Sequence, residues 1–134
     1  MSQKNKSIRI LLAEDEASIR EVLSRRLQQA GYEIIEAKDG QAAIKLFKGN
    51  TVDVVLLDLV MPLKSGFDVL EEIRVKMKSK VPVIILSNLD QKEDLELTKN
   101  LGADEFIVKS NVSMRNLISR ISRICDSKEA RTKK

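Results

Sequence analysis

In four places the chain sets a reactive group directly behind an aliphatic run. LLAEDE (11–16) delivers Glu14, Asp15 and Glu16, VVLLD (54–58) delivers Asp58, IILS (84–87) delivers Ser87, and FIVK (106–109) delivers Lys109. Carboxylates brought together repel. At about 4 Å and an effective dielectric of 20, two unit charges cost on the order of 4 kcal/mol. That is a large fraction of a domain stability of roughly 5–15 kcal/mol. A cation must relieve the repulsion, or one carboxylate must take up a proton. The donors are hard oxygens, the chain has no His, and its one cysteine, Cys125, is distant in sequence. This set favours Mg²⁺ over zinc or copper. Lys109 adds a second positive charge and Ser87 a hydroxyl donor, a combination suited to placing and neutralising a phosphoryl group. Asp58, at the end of a central run, is the candidate nucleophile that becomes an aspartyl phosphate.

Those groups meet only if the runs are strands of one sheet. The apolar segments are IRILLA (8–13), YEIIEA (32–37), VDVVLLD (52–58), VPVIILS (81–87) and EFIVK (105–109). Three are nearly continuous Val, Ile and Leu, as strands covered on both faces require. Between them the period becomes helical. Ile19, Val22, Leu23, Leu27 and Ala30 make one stripe, Ile44 and Phe47 a second, and Phe67, Leu70, Ile73 and Met77 a third. Asp90 to Leu101 is the weakest helix, with a thin face of Leu95, Leu97 and Leu101. Met114, Leu117, Ile118, Ile121 and Cys125 form the last stripe. Gly31, Gly49 and Gly102 stand where left-handed C-cap residues are wanted, and Ser65 with Asp68 can form a capping box.

Strand and helix alternate five times, which predicts an α/β fold, a doubly wound five-stranded parallel sheet flanked by five helices. The charged segments YEIIEA and EFIVK suit the edges, so the economical strand order is 2-1-3-4-5. Ligands of such sheets bind outside the carboxyl ends of the strands, at the switch in strand order. Here the switch lies between the first and third strands, flanked by Asp15 and Asp58.

The chain's 134 residues are one domain's worth, 43% hydrophobic with only 3% aromatic, so the core must be aliphatic. A single cysteine excludes an internal disulfide framework and fits a reducing compartment. The first apolar run is too short for a signal peptide or membrane span, so a cytoplasmic protein is expected, without a membrane partner. The domain is expected over 8–125, with residues 1–7 disordered and 126–134 a basic tail. Residues 110–134 carry a net charge of +5 and residues 1–109 a net charge of −1. A solvated helix face and tail is the simpler account of that asymmetry. Contact with an acidic partner or nucleic acid is the other.

LLAEDE (11–16), VVLLDLVMPLKSGFDVL (54–70), IILSNLD (84–90) and GADEFIVKS (102–110) together resemble the receiver domains of two-component response regulators. The resemblance covers Ile8 to about Cys125. It implies the flavodoxin-like sheet order argued above, with Glu14 and Asp15 as the acidic pair, Asp58 as phosphoacceptor, Ser87 as switch hydroxyl, Lys109 as charge partner and Phe106 as switch aromatic. By the same resemblance Mg²⁺ contacts Asp15, Asp58 and the backbone carbonyl of Val60, with Glu14 beside them. The donor implied is a sensor histidine kinase or phosphotransfer protein. Output is implied through the face made by the fourth helix, fifth strand and fifth helix, which also allows a homodimer.

Three positions depart from the family. Phe106 replaces a frequent Tyr, so coupling to Ser87 must work through packing. Ser110 stands where a proline in a cis peptide is usual. A non-proline cis bond costs about 3–4 kcal/mol, so a trans Lys109–Ser110 peptide is expected. Val60 and Leu89, which tune phosphoryl lifetime by resemblance, are apolar.

Two rivals stand beside this reading. A haloacid-dehalogenase-type phosphatase also uses a strand-end aspartate on Mg²⁺, but it wants a second carboxylate where Val60 stands. No Gly-rich loop follows the first strand, which disfavours dinucleotide and P-loop enzymes. A phosphorylation-independent interaction module of the same fold is the other rival. No DNA-binding or enzymatic domain follows residue 125, so output is expected to go through a partner not identified by the sequence.

Overall fold

The computed structural model describes residues 7–89 and 91–132. Strands β1 (Arg9–Ala13), β2 (Glu33–Ala37), β3 (Val54–Leu57), β4 (Val83–Ser87) and β5 (Glu105–Val108) form one parallel sheet in the order β2-β1-β3-β4-β5. The helices are α1 (Ala17–Gln29), α2 (Gly40–Gly49), α3 (Gly66–Glu71), α4 (Lys92–Asn100) and α5 (Met114–Thr132). Fold class and strand order are those expected.

Alternation along the strands splits the aliphatic core into two layers. Ile10, Leu12, Val54, Leu56, Ile84 and Leu86 face one side, where Leu23 and Leu27 of α1 and Leu117 and Ile121 of α5 cover them. Leu11, Ala13, Val55, Leu57 and Ile85 face the other, under Ala43 of α2 and Val69 and Leu70 of α3. All four residues of β3 are fully buried. The edge strands β2 and β5 are only partly buried.

Register fixes what emerges at the carboxyl end. Ala13 pairs with Leu57, so Glu14 and Asp58 leave adjacent strands at one level. The Asp58 amide donates to the Ala13 carbonyl at 3.1 Å, extending the ladder by one residue. Ser87 pairs with Val108, which puts Lys109 one residue beyond it.

Several local expectations need correction. Val22 is 49% exposed and Ala30 is exposed. Ser24 takes the inward position on α1, its hydroxyl accepting from Gln28 Nε2 at 2.9 Å. On α4, Leu95 and Leu97 are exposed and the buried residue is Thr98, whose hydroxyl donates to the carbonyls of Asp94 and Leu95. Gly31 and Gly102 do adopt positive φ, 103° and 102°. Gly49 does not: it closes α2 in helical form and Asn50 caps it in extended backbone. The Ser65–Asp68 capping box is present.

The third helical stretch changes character. After α3 the chain makes a π-helical turn over Glu72–Lys76, with the Met77 amide donating to the Glu72 carbonyl at 2.9 Å. Helix α5 runs through Thr132, beyond the boundary expected at 125, because no Gly or Pro interrupts 114–132. Residues 126–132 continue that helix. The expectations for residues 1–6 and for Lys133 and Lys134 lie outside the described residues, as does Asp90.

Candidate functional site

Each expected acid lies just past a strand that the core holds rigidly. Glu14 and Asp58 are buried, 2% and 7% exposed, while Asp15 is exposed. One carboxylate oxygen from each of Glu14, Asp15 and Asp58 lies within 4.8 Å of the others. Lys109 reaches across from the end of β5. Its Nζ lies 2.6 Å from Glu14 Oε1 and 3.2 Å from Asp58 Oδ2. The remaining oxygens are held by backbone: Glu14 Oε2 accepts from the Glu16 amide at 3.0 Å, and Asp58 Oδ1 from the Leu59 amide at 2.7 Å.

Two opposing effects act on Lys109. Burial pushes its pKa down, but the hydrogen bond to Glu14 and the charges of Asp58 and Glu14 outweigh it, and the result lies above the ordinary value of 10.5. The ammonium is therefore charged throughout the physiological range. Three carboxylates against one ammonium leave two formal negative charges, the charge of one divalent cation. The donors are all oxygen, which fits Mg²⁺.

The other expected residues divide. Ser87 is 1% exposed at the end of β4, and its hydroxyl accepts from the Leu89 amide at 3.3 Å. Phe106 is half-buried on β5, where it pairs with Ile85. It borders a cavity of about 270 Å³ with Leu95, Thr98 and Ala103. The side chain of Val60 is 59% exposed beside the site. No peptide bond among the described residues is cis, so Lys109–Ser110 is trans, inside a short 3₁₀ turn over Lys109–Asn111.

Two contributors went unassigned in the sequence. Arg20, on the first turns of α1, donates from its NH1 to the Glu14 carbonyl at 2.8 Å and pairs with Glu36 at 3.3 Å. It braces the acidic loop from behind. A lone cation one helical turn past an acidic run was its only signal. Gly66, eight residues after Asp58, presses its backbone against the Asp58–Leu59 segment. A Cβ there would collide with the Asp58 carbonyl oxygen and sit 2.7 Å from Leu59 Cα. Its amide donates to the Leu59 carbonyl at 2.9 Å. Only Gly lets α3 begin this close to Asp58.

The response regulator receiver domain model matches residues 10–122. The chain belongs to the response regulator receiver family. The receiver is 42% identical over 113 residues to a probable transcriptional regulator ycf27 of Porphyridium aerugineum, a match covering 84% of this chain and 46% of the relative. It is 41% identical over 112 residues to response regulator RR06 of Streptococcus pneumoniae, covering 84% and 50%. The chain thus spans about half the length of the curated relatives it matches. Among solved structures, a CheY-like receiver domain protein of Methanospirillum hungatei JF-1 superposes with a TM-score of 0.89 at 25% identity, covering 94% of this chain and 99% of that one. The non-phosphorylated HemR receiver domain of Leptospira biflexa gives 0.80 at 34% identity, covering 89% and 94%. The receiver is thus a signalling domain of the kind that accepts phosphoryl groups in two-component systems, and the acidic pocket is where such domains bind Mg²⁺. Among the described residues, no helix is long and apolar enough to cross a membrane.

Proposed function

We propose that this receiver accepts a phosphoryl group on Asp58 from the phosphohistidine of a sensor kinase or phosphotransfer protein. The observation that carries the reading is the Lys109 ammonium bridging Glu14 and Asp58 at a pocket of three carboxylates. An Asp58 carboxylate oxygen attacks phosphorus, the P–N bond to the partner's imidazole breaks, and the electron pair leaves with the ring nitrogen. The Leu59 amide orients the carboxylate, and Lys109 offsets negative charge on the transferring group. Asp15 and Asp58, with the Val60 carbonyl and Glu14 beside them, are the residues to hold Mg²⁺. When bound, the ion supplies charge neutralisation for the phosphoryl oxygens.

Ser87 then donates its hydroxyl to the phosphoryl group, leaving the Leu89 amide. Phe106 repacks toward the space vacated, drawing on the cavity it shares with Leu95 and Thr98. The equilibrium of the α4-β5-α5 face shifts with it, and partner binding or homodimerisation reads that shift. A half-buried Cys125 suits a reducing compartment, and the cytoplasm is the proposed location.

Incubation with a small phosphodonor, with Mg²⁺ or with chelator, tests the reading. Mg²⁺-dependent uptake of one phosphoryl group, its slow loss, no turnover of outside esters, and no uptake by Asp58→Asn are expected. Uptake at an equal rate by Asp58→Asn overturns the assignment. Steady turnover of outside esters favours the phosphatase.

A further inference from the structure

We infer that Asn88 is a positioning residue for phosphoryl transfer, holding the Lys109 turn to the Ser87 loop through one hydrogen bond. The inference rests on the reading of Asp58, Ser87 and Lys109 above and deepens it.

The Ser110 backbone amide donates to Asn88 Oδ1 at 2.9 Å, across 22 residues of sequence. Asn88 directly follows Ser87, and Ser110 directly follows Lys109. The bond therefore ties the residues next to two of the groups that face the phosphoryl position. The strands beneath stop short of this tie, because the last β4–β5 pair is Ser87 with Val108. Beyond that pair the Lys109 turn has no ladder partner, and Lys109 Nζ must still stay within 2.6 Å of Glu14 and 3.2 Å of Asp58. Asn88 and Ser110 are both exposed, so this bond is not needed to satisfy a buried group. What it adds is restraint on the turn.

The tie also couples two movements. If Ser87 shifts toward a phosphoryl group, Asn88 moves with it. The bond then either carries Ser110 and Lys109 along or breaks. The coupling runs through the amide of residue 110 and not its side chain. A proline at 110 has no such amide.

The chemistry specifies the variants. Asn88→Ala removes the acceptor and Asn88→Asp keeps one. Ser110→Ala keeps the amide and Ser110→Pro removes it. Labelling by a small phosphodonor with Mg²⁺ is measured as maximal rate and half-saturating donor concentration. Asn88→Ala is expected to lower the maximal rate roughly three- to tenfold, the scale of one lost hydrogen bond, with half-saturation unchanged. Ser110→Ala stays near wild type, and Asn88→Asp, which keeps an acceptor but adds a negative charge beside the site, is read by hydrogen exchange alone. In the Ser110→Pro background Asn88→Ala costs nothing further, since the bond is already absent. An equal cost of Asn88→Ala in both backgrounds overturns the inference and means that Asn88 acts elsewhere. Hydrogen exchange at the Ser110 amide gives a readout without phosphorylation. Protection is expected to fall in Asn88→Ala and persist in Asn88→Asp, and unchanged protection in both overturns the inference. Failure of the wild type to label at all, with normal Ser110 protection, overturns the reading of Asp58 and with it the role given to Asn88.

Discussion

The same substitution, Gly→Ala, should have opposite signs at two helical positions of this receiver. Gly66 opens α3 and Gly49 closes α2. In a helix Ala is favoured over Gly by about 0.5–1 kcal/mol. At Gly49 nothing lies within 4 Å of an added Cβ. Gly49→Ala should therefore stabilise by a few tenths to about 1 kcal/mol. At Gly66 the added methyl meets the Asp58 carbonyl oxygen and Leu59 Cα, main-chain atoms of a buried segment that cannot rotate aside. Overpacking costs about 1–3 kcal/mol and belongs at the upper end here. Stretching the Gly66–Leu59 hydrogen bond adds about 1 kcal/mol. Set against the propensity gain, Gly66→Ala should destabilise by roughly 2–3 kcal/mol. Urea unfolding reads both, as midpoint shifts in opposite directions at unchanged slope. The displaced Asp58 backbone should also slow phosphorylation of Gly66→Ala under conditions where it is fully folded. The reasoning is refuted if Gly66→Ala is as stable as wild type, or if the two variants shift the same way.

Further outcomes follow from other parts of the molecule. Val60 is exposed at the rim and Leu89 half-buried beside Ser87, and neither side chain can hold a hydrolytic water. The phosphorylated receiver should decay slowly, and Val60→Asn or Leu89→Glu should shorten its lifetime after donor removal. Arg74 donates to the carbonyls of Gly102, Ser79 and Val81 and to Asp104. Arg74→Met should destabilise by about 2 kcal/mol in urea, and Arg74→Lys should not restore it, because a point cation cannot fork. Tyr32 is the one tyrosine, its pKa raised above 10.0 by burial first and then by Cys125 and Asp126. The unfolded chain loses that proton first, so this contribution to stability is intact below pH 10.0 and falls as pH rises through the folded value. Spectrophotometric titration should place the phenol above 10.0 in the folded protein and return it toward 10.0 in urea.

The strands, and the meeting of Glu14, Asp15, Asp58 and Lys109 at one end of the sheet, were legible because both depend on short, local signals. Continuous Val, Ile and Leu runs mark buried parallel strands, and a polar residue directly after each run must emerge at one end of the sheet. What was not legible depends on packing against other segments or on hydrogen bonds that apolar spacing does not show. The spacing of Phe67, Leu70, Ile73 and Met77 is the same whether the stretch is α throughout or ends in a π turn. The Arg74 side chain in that turn bonds to segments 5 to 30 residues away, which no local pattern encodes. The inward face of α1 takes Ser24, which finds Gln28, and not Val22. On α4, Thr98 is buried because its hydroxyl is satisfied by the helix's own carbonyls. Gly66 stood in a quoted motif without a role, since its reason is a backbone approach that only coordinates reveal. Lys109 was assigned to the phosphoryl group, and the structure adds its resting partners Glu14 and Asp58.

The claim that Asp58 carries the phosphoryl group is tested most directly by reductive trapping. Borohydride converts an aspartyl phosphate to homoserine, and peptide mass spectrometry then locates the altered residue. Phosphorylated with a small donor in Mg²⁺, the receiver should show homoserine at position 58 and at no other acid. Homoserine at Asp15, Asp53 or any other aspartate, with position 58 unchanged, contradicts the account.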